Sequence, residues 1–238
     1  MWRIETELDG AGAPYDRRAA VYDRLVRSRL YNRVAWGCAP DDYAAFAAEA
    51  LAAADGPVLE AAAGSAAATA ALHRRSGRPT VLVDLSRPML ERAARRLARD
   101  GNPVPARIRL VQADVTTLSA AAPGRFTTIL VLGALHLFED VDALLTPLRA
   151  QLAPGGKMYV SGLVAATARG RRCLEVLHRA GEVAPPRDAG ALRVALGDPE
   201  DFRTAGCMAF AVLPAPVSCG TPARAGNVVE ACSTGGSF

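Results

Sequence analysis

Glu60, Gly64, Asp84, Asp114 and His136 have the types and the spacing to build one ligand site. The run Val58-Leu59-Glu60-Ala61-Ala62-Ala63-Gly64-Ser65-Ala66 reads as a buried strand that ends on an acid and breaks into a loop of tiny residues. So little side-chain bulk lets a ligand touch the backbone. A helix start behind the loop offers unpaired N–H groups and a positive dipole end. Asp84 lies twenty residues beyond Gly64, the spacing of an acid that accepts from two ribose hydroxyls. Ala62-x-Gly64-x-x-Ala67 is a degenerate dinucleotide fingerprint, so a pyrophosphate ligand is one reading. Glu60 opposes it, because a carboxylate there repels a pyrophosphate and welcomes an ammonium or hydroxyls. Asp114 suits an adenine amino group or a turn. His136 is either a general base or a packed wall residue.

These groups need elements to hold them. Tyr22, Leu25, Val26, Leu30 and Val34 form an apolar stripe that predicts a helix over 15–35, ended by Gly37. Pro40, Asp41 and Asp42 open a second helix with Tyr43, Phe46 and Leu51 on one face. From residue 57 strands and helices alternate. Strands are expected at 57–61, 80–85, 107–112, 126–132 and 157–161, and helices at 66–76, from Ser86 to Gly101, and around Val141–Leu152. A last apolar strand is expected at 207–213. Such alternation means a parallel sheet covered on both faces, with the loops after the strands gathered along one edge. Residues 165–200 read as an α-helical, arginine-rich insertion. His73 and His178 read as surface groups.

With these motifs in order, residues 57–163 resemble the class I S-adenosylmethionine-dependent methyltransferases of the small-molecule (type 11/25 domain) kind. Val58 to Ala66 resembles the family's first motif, and Val83-Asp84-Leu85-Ser86-Arg87-Pro88-Met89-Leu90 its second. Val111 to Val115 resembles the third, Phe126 to Asp140 the fourth, and Leu152 to Gly156 the turn before strand five. The resemblance implies a Rossmann-like, doubly wound, mostly parallel seven-stranded α/β sheet, its last strands complete or truncated, under an N-terminal helical cap. It divides the chain into a lid (1–55), a core (56–213) with the insertion, and a flexible tail (214–238). It implies S-adenosyl-L-methionine as cofactor. Glu60 would meet the methionyl end directly or through water, over the backbone of Ala62 and Gly64. Asp84 would hold the ribose, Met89 would flank the adenine, and Asp114 and Val115 would contact it. Gly133 would line the sulfonium side. Tyr22, Tyr31 and Trp36 are lid or substrate candidates, and His136 is the candidate base. The chain departs from the family at Ala62 and Ala66, where glycines are usual, and at Thr127, where an acid is common.

Composition bounds the rest. The chain of 238 residues carries a net charge of +4, and Lys157 is its one lysine. No arginine run is interleaved with aromatics, so nothing marks a nucleic-acid interface. Five cysteines without a CxxC spacing predict neither a metal site nor a disulfide framework. The longest apolar run, Ile129 to Phe138, is about half the ~20 residues of a membrane span. The expectation is a cytoplasmic monomer or homodimer that transfers a methyl group to a small molecule, plausible in secondary metabolism. A non-catalytic or non-methylating use of the fold and a nicotinamide-dependent oxidoreductase are the alternatives.

Overall fold

The computed structural model describes residues 3–6, 32–98, 102–118, 125–197 and 199–215. Tyr22, Tyr31, most of the helix expected over 15–35 and nearly all of the tail lie outside them. Strand β1 (Ile4–Thr6) opens the chain, and a π-helical turn (Asn32–Trp36) leads into α1 (Pro40–Ala52). There follow β2 (Val58–Ala61), α2 (Ala70–Ser76), β3 (Thr80–Asp84), α3 (Arg87–Leu97), β4 (Ile108–Gln112) and β5 (Phe126–Val131). A 3₁₀ turn (Leu135–Leu137), α4 (Val141–Arg149), β6 (Leu152–Leu163), α5 (Ala168–Arg179), α6 (Ala189–Ala195), β7 (Asp201–Ala205) and β8 (Met208–Pro214) complete the fold.

The strands form one sheet in the order β1-β4-β3-β2-β5-β6-β8-β7. All pairings are parallel except the two made by β8. Eight strands replace the expected seven, and the terminal strands are not truncated. The polar edge pair Asp201–Ala205 supplies β7, and Ile4–Thr6 adds β1 beside β4, tied across the edge by the Glu5–Arg109 ion pair. Ile4–Thr6 is thus part of the sheet. After β4 the chain crosses back past β2, so β2 and β5 flank the switch point where ligands bind in such sheets.

Side chains alternate between the two faces. Ile129, Val131, Met158 and Val160 meet Leu144, Leu145 and Leu148 of α4 on one face. Leu130, Tyr159 and Phe210 meet Phe46 of α1, and Leu82 and Leu110 meet Leu90 and Leu97 of α3, on the other. Each fully buried leucine contributes about 1.5–3 kcal/mol. Helices α3, α4 and α6 start on side-chain caps: Ser86 accepts from Met89 N–H, Asp140 from Ala143 N–H and Asp188 from Ala191 N–H. At the opposite edge from the ligand loops, buried Arg78 donates to the carbonyls of Leu51 (3.1 Å) and Gly56 (2.8 Å) and to the hydroxyls of Thr127 (2.9 Å) and Thr128 (2.8 Å). Thr127, the position where the family often has an acid, therefore serves a cation through its hydroxyl. The cost of burial lowers the Arg78 pKa from the usual guanidinium value.

Candidate functional site

The loop after β2 is a set of turns and not the start of a helix. Alanine favours a helix, and the sequence predicts one from residue 66, yet α2 begins at Ala70. The reason is backbone conformation. Ala62 (φ 52°), Gly64 (φ 53°) and Ala66 (φ 49°) are all left-handed. For alanine this conformation costs roughly 1–2 kcal/mol per residue. The loop is held from three sides. Ala63 N–H donates to Val83 O (3.0 Å), Arg96 donates to Ser65 O (2.7 Å), and Gly64 N–H donates to Asp84 Oδ2 (2.6 Å). Ala62→Gly and Ala66→Gly should each stabilise the protein by about 0.5 kcal/mol, because relief of strain exceeds the added freedom of the unfolded chain. Thermal melting should rise by roughly 1–2 °C per substitution. An unchanged or lower melting point would show that the two alanines are not strained.

Asp84 ends β3 beside this loop. Its second oxygen accepts from Ser86 N–H at 2.8 Å. The carboxylate is only partly buried. Met89, from the first turn of α3, brings its Cε to 3.9 Å from where a Cβ of Gly64 would stand, so the thioether borders the same cleft. Asp114 folds its own loop: Oδ1 accepts from Thr116 N–H (2.8 Å) and Thr116 Oγ1 (2.7 Å). Oδ2 carries no bond of this turn. Val115 is buried in the core behind it.

Glu60 is placed differently from its expected role. It is 3% exposed, accepts from Thr69 Oγ1 at 2.9 Å, and is paired with His73 Nε2. His73, read from sequence as a surface group, is fully buried. Both Glu60 oxygens therefore hold α2 to the end of β2, and neither is presented to a ligand at the loop. The sequence carried a signal for this: Thr69 and His73 stand four apart on one helical face, nine and thirteen residues after the acid.

At the end of β5, Gly133 takes φ 67° and donates its N–H to the fully buried Ser161 Oγ of β6 at 2.9 Å. A Cβ here would stand 3.3 Å from Tyr43 Cε1. Tyr43, which the sequence offers as one member of the α1 stripe, is thus the aromatic wall over Gly133. Its hydroxyl donates to Met208 Sδ at 3.3 Å. Trp36, a lid candidate, is 5% exposed; its carbonyl accepts from Cys207 N–H (2.7 Å) and it packs in the cluster that holds Phe46 and Phe210. It is packing, not an open lid.

His136 lies on the 3₁₀ turn. Its Nδ1 accepts from Leu163 N–H at 3.3 Å, which leaves the ring proton on Nε2. Burial pushes its pKa down to about 4 from the ordinary 6.5. The candidate base is therefore neutral at neutral pH, with one ring nitrogen blocked and the other already protonated. The pKa falls on folding, so the unfolded chain takes up the proton first. The stability this neutral ring contributes is complete above about pH 6.5 and is lost as pH falls towards about 4. Urea midpoints measured at pH 7 and pH 5 should differ more for the wild type than for His136→Gln. Equal differences would show that the ring titrates normally.

Residues 58–156 match the family model of the methyltransferase domain. No curated protein matches the chain. Among solved structures, the protein bound by the Haloferax volcanii Trm112 methyltransferase activator is 16% identical with TM-score 0.62, over 87% of this chain and all of that one. The Streptomyces coelicolor geranyl diphosphate C-methyltransferase, solved with S-adenosyl-L-homocysteine, is 14% identical with TM-score 0.60, over 87% and 82%. The Burkholderia thailandensis 1,6-didemethyltoxoflavin-N1-methyltransferase, with its substrate and S-adenosylhomocysteine bound, is 23% identical with TM-score 0.52, over 87% and 92%. These likenesses establish the shared fold. Residues 58–156 thus carry a methyltransferase domain, set in the fold that these structures share.

Proposed function

We propose that the protein methylates a small-molecule acceptor, at oxygen, nitrogen or carbon, in a cytoplasmic pathway of secondary metabolism. The bond between Gly64 N–H and Asp84 carries this reading, because it joins the small-residue loop and the ribose-binding acid into one preformed edge. The small molecules named with the Streptomyces and Burkholderia structures support the acceptor class by analogy. Among the described residues no helix is long and apolar enough to cross a membrane.

The residues fit the cofactor. Asp84 would accept from the ribose hydroxyls, with Met89 and Val115 on the adenine and Asp114 Oδ2 at its amino group. The backbone of Ala62 and Gly64 would pass under the methionyl part, and Gly133 would line the sulfonium side. When bound, S-adenosylmethionine supplies an electrophilic methyl group on a positively charged sulfur. The chain's own work is then to orient the partners and exclude water. Tyr43 closes the cleft over Gly133, and Ser161 fixes the Gly133 backbone. Glu60 acts from behind, bracing the loop through Thr69 and His73.

Isothermal titration of the full-length protein with S-adenosylhomocysteine and with NADH tests the cofactor. Mass spectrometry for a one-methyl gain, across a panel of phenols, amines and enolisable ketones, tests the acceptor class. Binding of NADH without binding of S-adenosylhomocysteine would overturn the reading.

A further inference from the structure

The His136 ring is fixed on both sides of its turn. Leu163 N–H donates to Nδ1, and the His136 carbonyl accepts from Ala184 N–H at 3.0 Å, in the segment between α5 and α6. The turn packs directly against β6. A Cβ on Gly162 would already stand 2.6 Å from Leu135 Cβ and 3.1 Å from the His136 nitrogen. The residue is partly accessible. Among the described residues nothing accepts from Nε2, and Nε2 is not one of their sealed, partnerless nitrogens as His73 Nδ1 is. An oriented N–H therefore stays open, three residues beyond Gly133 on the turn that follows β5.

We propose that His136 is a fixed hydrogen-bond donor to the methyl acceptor and not its base, and that the acceptor presents a phenolic, enolic or carboxylic oxygen to Nε2–H. This rests on the methyltransferase reading above. A donor aimed at such an oxygen favours its ionised form. The acceptor's acidity is then raised in place, its proton passes to solvent, and no proton has to reside on His136.

The probe is 4-nitrophenol, titrated by absorbance against the full-length protein saturated with S-adenosylhomocysteine. The wild type should lower the apparent pKa of the phenol by about one unit, a tenfold shift in its ionisation. His136→Gln returns an N–H near the position of Nε2 and should keep most of that shift. His136→Asn returns only an acceptor for Leu163 N–H and should lose it. A structural role predicts the reverse, with Asn rescuing and Gln failing. A base predicts that neither rescues, and that ¹⁵N-histidine spectra show the ring titrating near pH 6.5. Either pattern, or an unshifted phenol in the wild type, overturns the proposal. If S-adenosylhomocysteine itself fails to bind, the methyltransferase reading falls instead; if it binds while the phenol is unshifted, only the donor role falls.

Discussion

Asp84→Ala should weaken S-adenosylhomocysteine binding by roughly 100-fold, which corresponds to about 3 kcal/mol. Hydrogen bonds to a charged group are worth about 1.5–3 kcal/mol each, and a ribose would offer this carboxylate two. The substitution also removes the acceptor of Gly64 N–H at 2.6 Å and of Ser86 N–H at 2.8 Å. The loop then loses part of the organisation that precedes binding. Asp84→Asn keeps one acceptor oxygen and should lose about tenfold, a single charged bond's worth. Titration calorimetry decides the matter. A dissociation constant within threefold of wild type for Asp84→Ala would mean that the acid only shapes the loop.

Glu60→Ala should act on folding and spare binding. The substitution strands two buried donors, Thr69 Oγ1 and His73 Nε2, in a site where Thr69 is 2% exposed and His73 is 0% exposed. Breaking a buried hydrogen-bonded pair from one side costs about 3–5 kcal/mol. For a chain of this size that is roughly 6–20 °C of melting temperature. The double substitution Glu60→Leu with His73→Leu replaces both partners and should recover a large part of the loss. For whatever fraction remains folded, S-adenosylhomocysteine affinity should fall far less than in Asp84→Ala. If affinity collapses while the melting point holds, Glu60 faces the cofactor after all.

The contrast between these two acids shows what sequence could convey. The Asp84–Gly64 contact was legible because it depends on a spacing of twenty residues that a strand–turn–helix unit preserves. Glu60 looked like its twin at the end of a neighbouring strand. Its partners, however, depend on how α2 is rotated, and that rotation follows from three left-handed residues that composition cannot reveal. Helix propensity pointed to an earlier start for α2, because alanine says nothing about φ in the folded chain. The central strands were legible as apolar runs closed by turn residues. β1 is too short and β7 too polar to stand out, since edge strands need no second buried face. Tyr43 was visible as an apolar stripe residue, but its contact with Gly133 spans two elements that only the folded sheet brings together. The blocked nitrogen of His136 depends on the main chain of β6, so no pattern of side chains could disclose it.

Lys157 faces β5 at Thr128, near the beginning of that strand and away from the ligand edge. Its ammonium donates to Glu200 at 2.5 Å, and that bond raises the amine's pKa. Because this is the sequence's one lysine, an amine-directed dye has a single side chain to find. Acylation there should be slow, since the carboxylate keeps the nitrogen protonated, and Glu200→Gln should quicken it. A fluorophore or surface tether placed this way reports on the molecule from behind the sheet and leaves the cofactor loops clear.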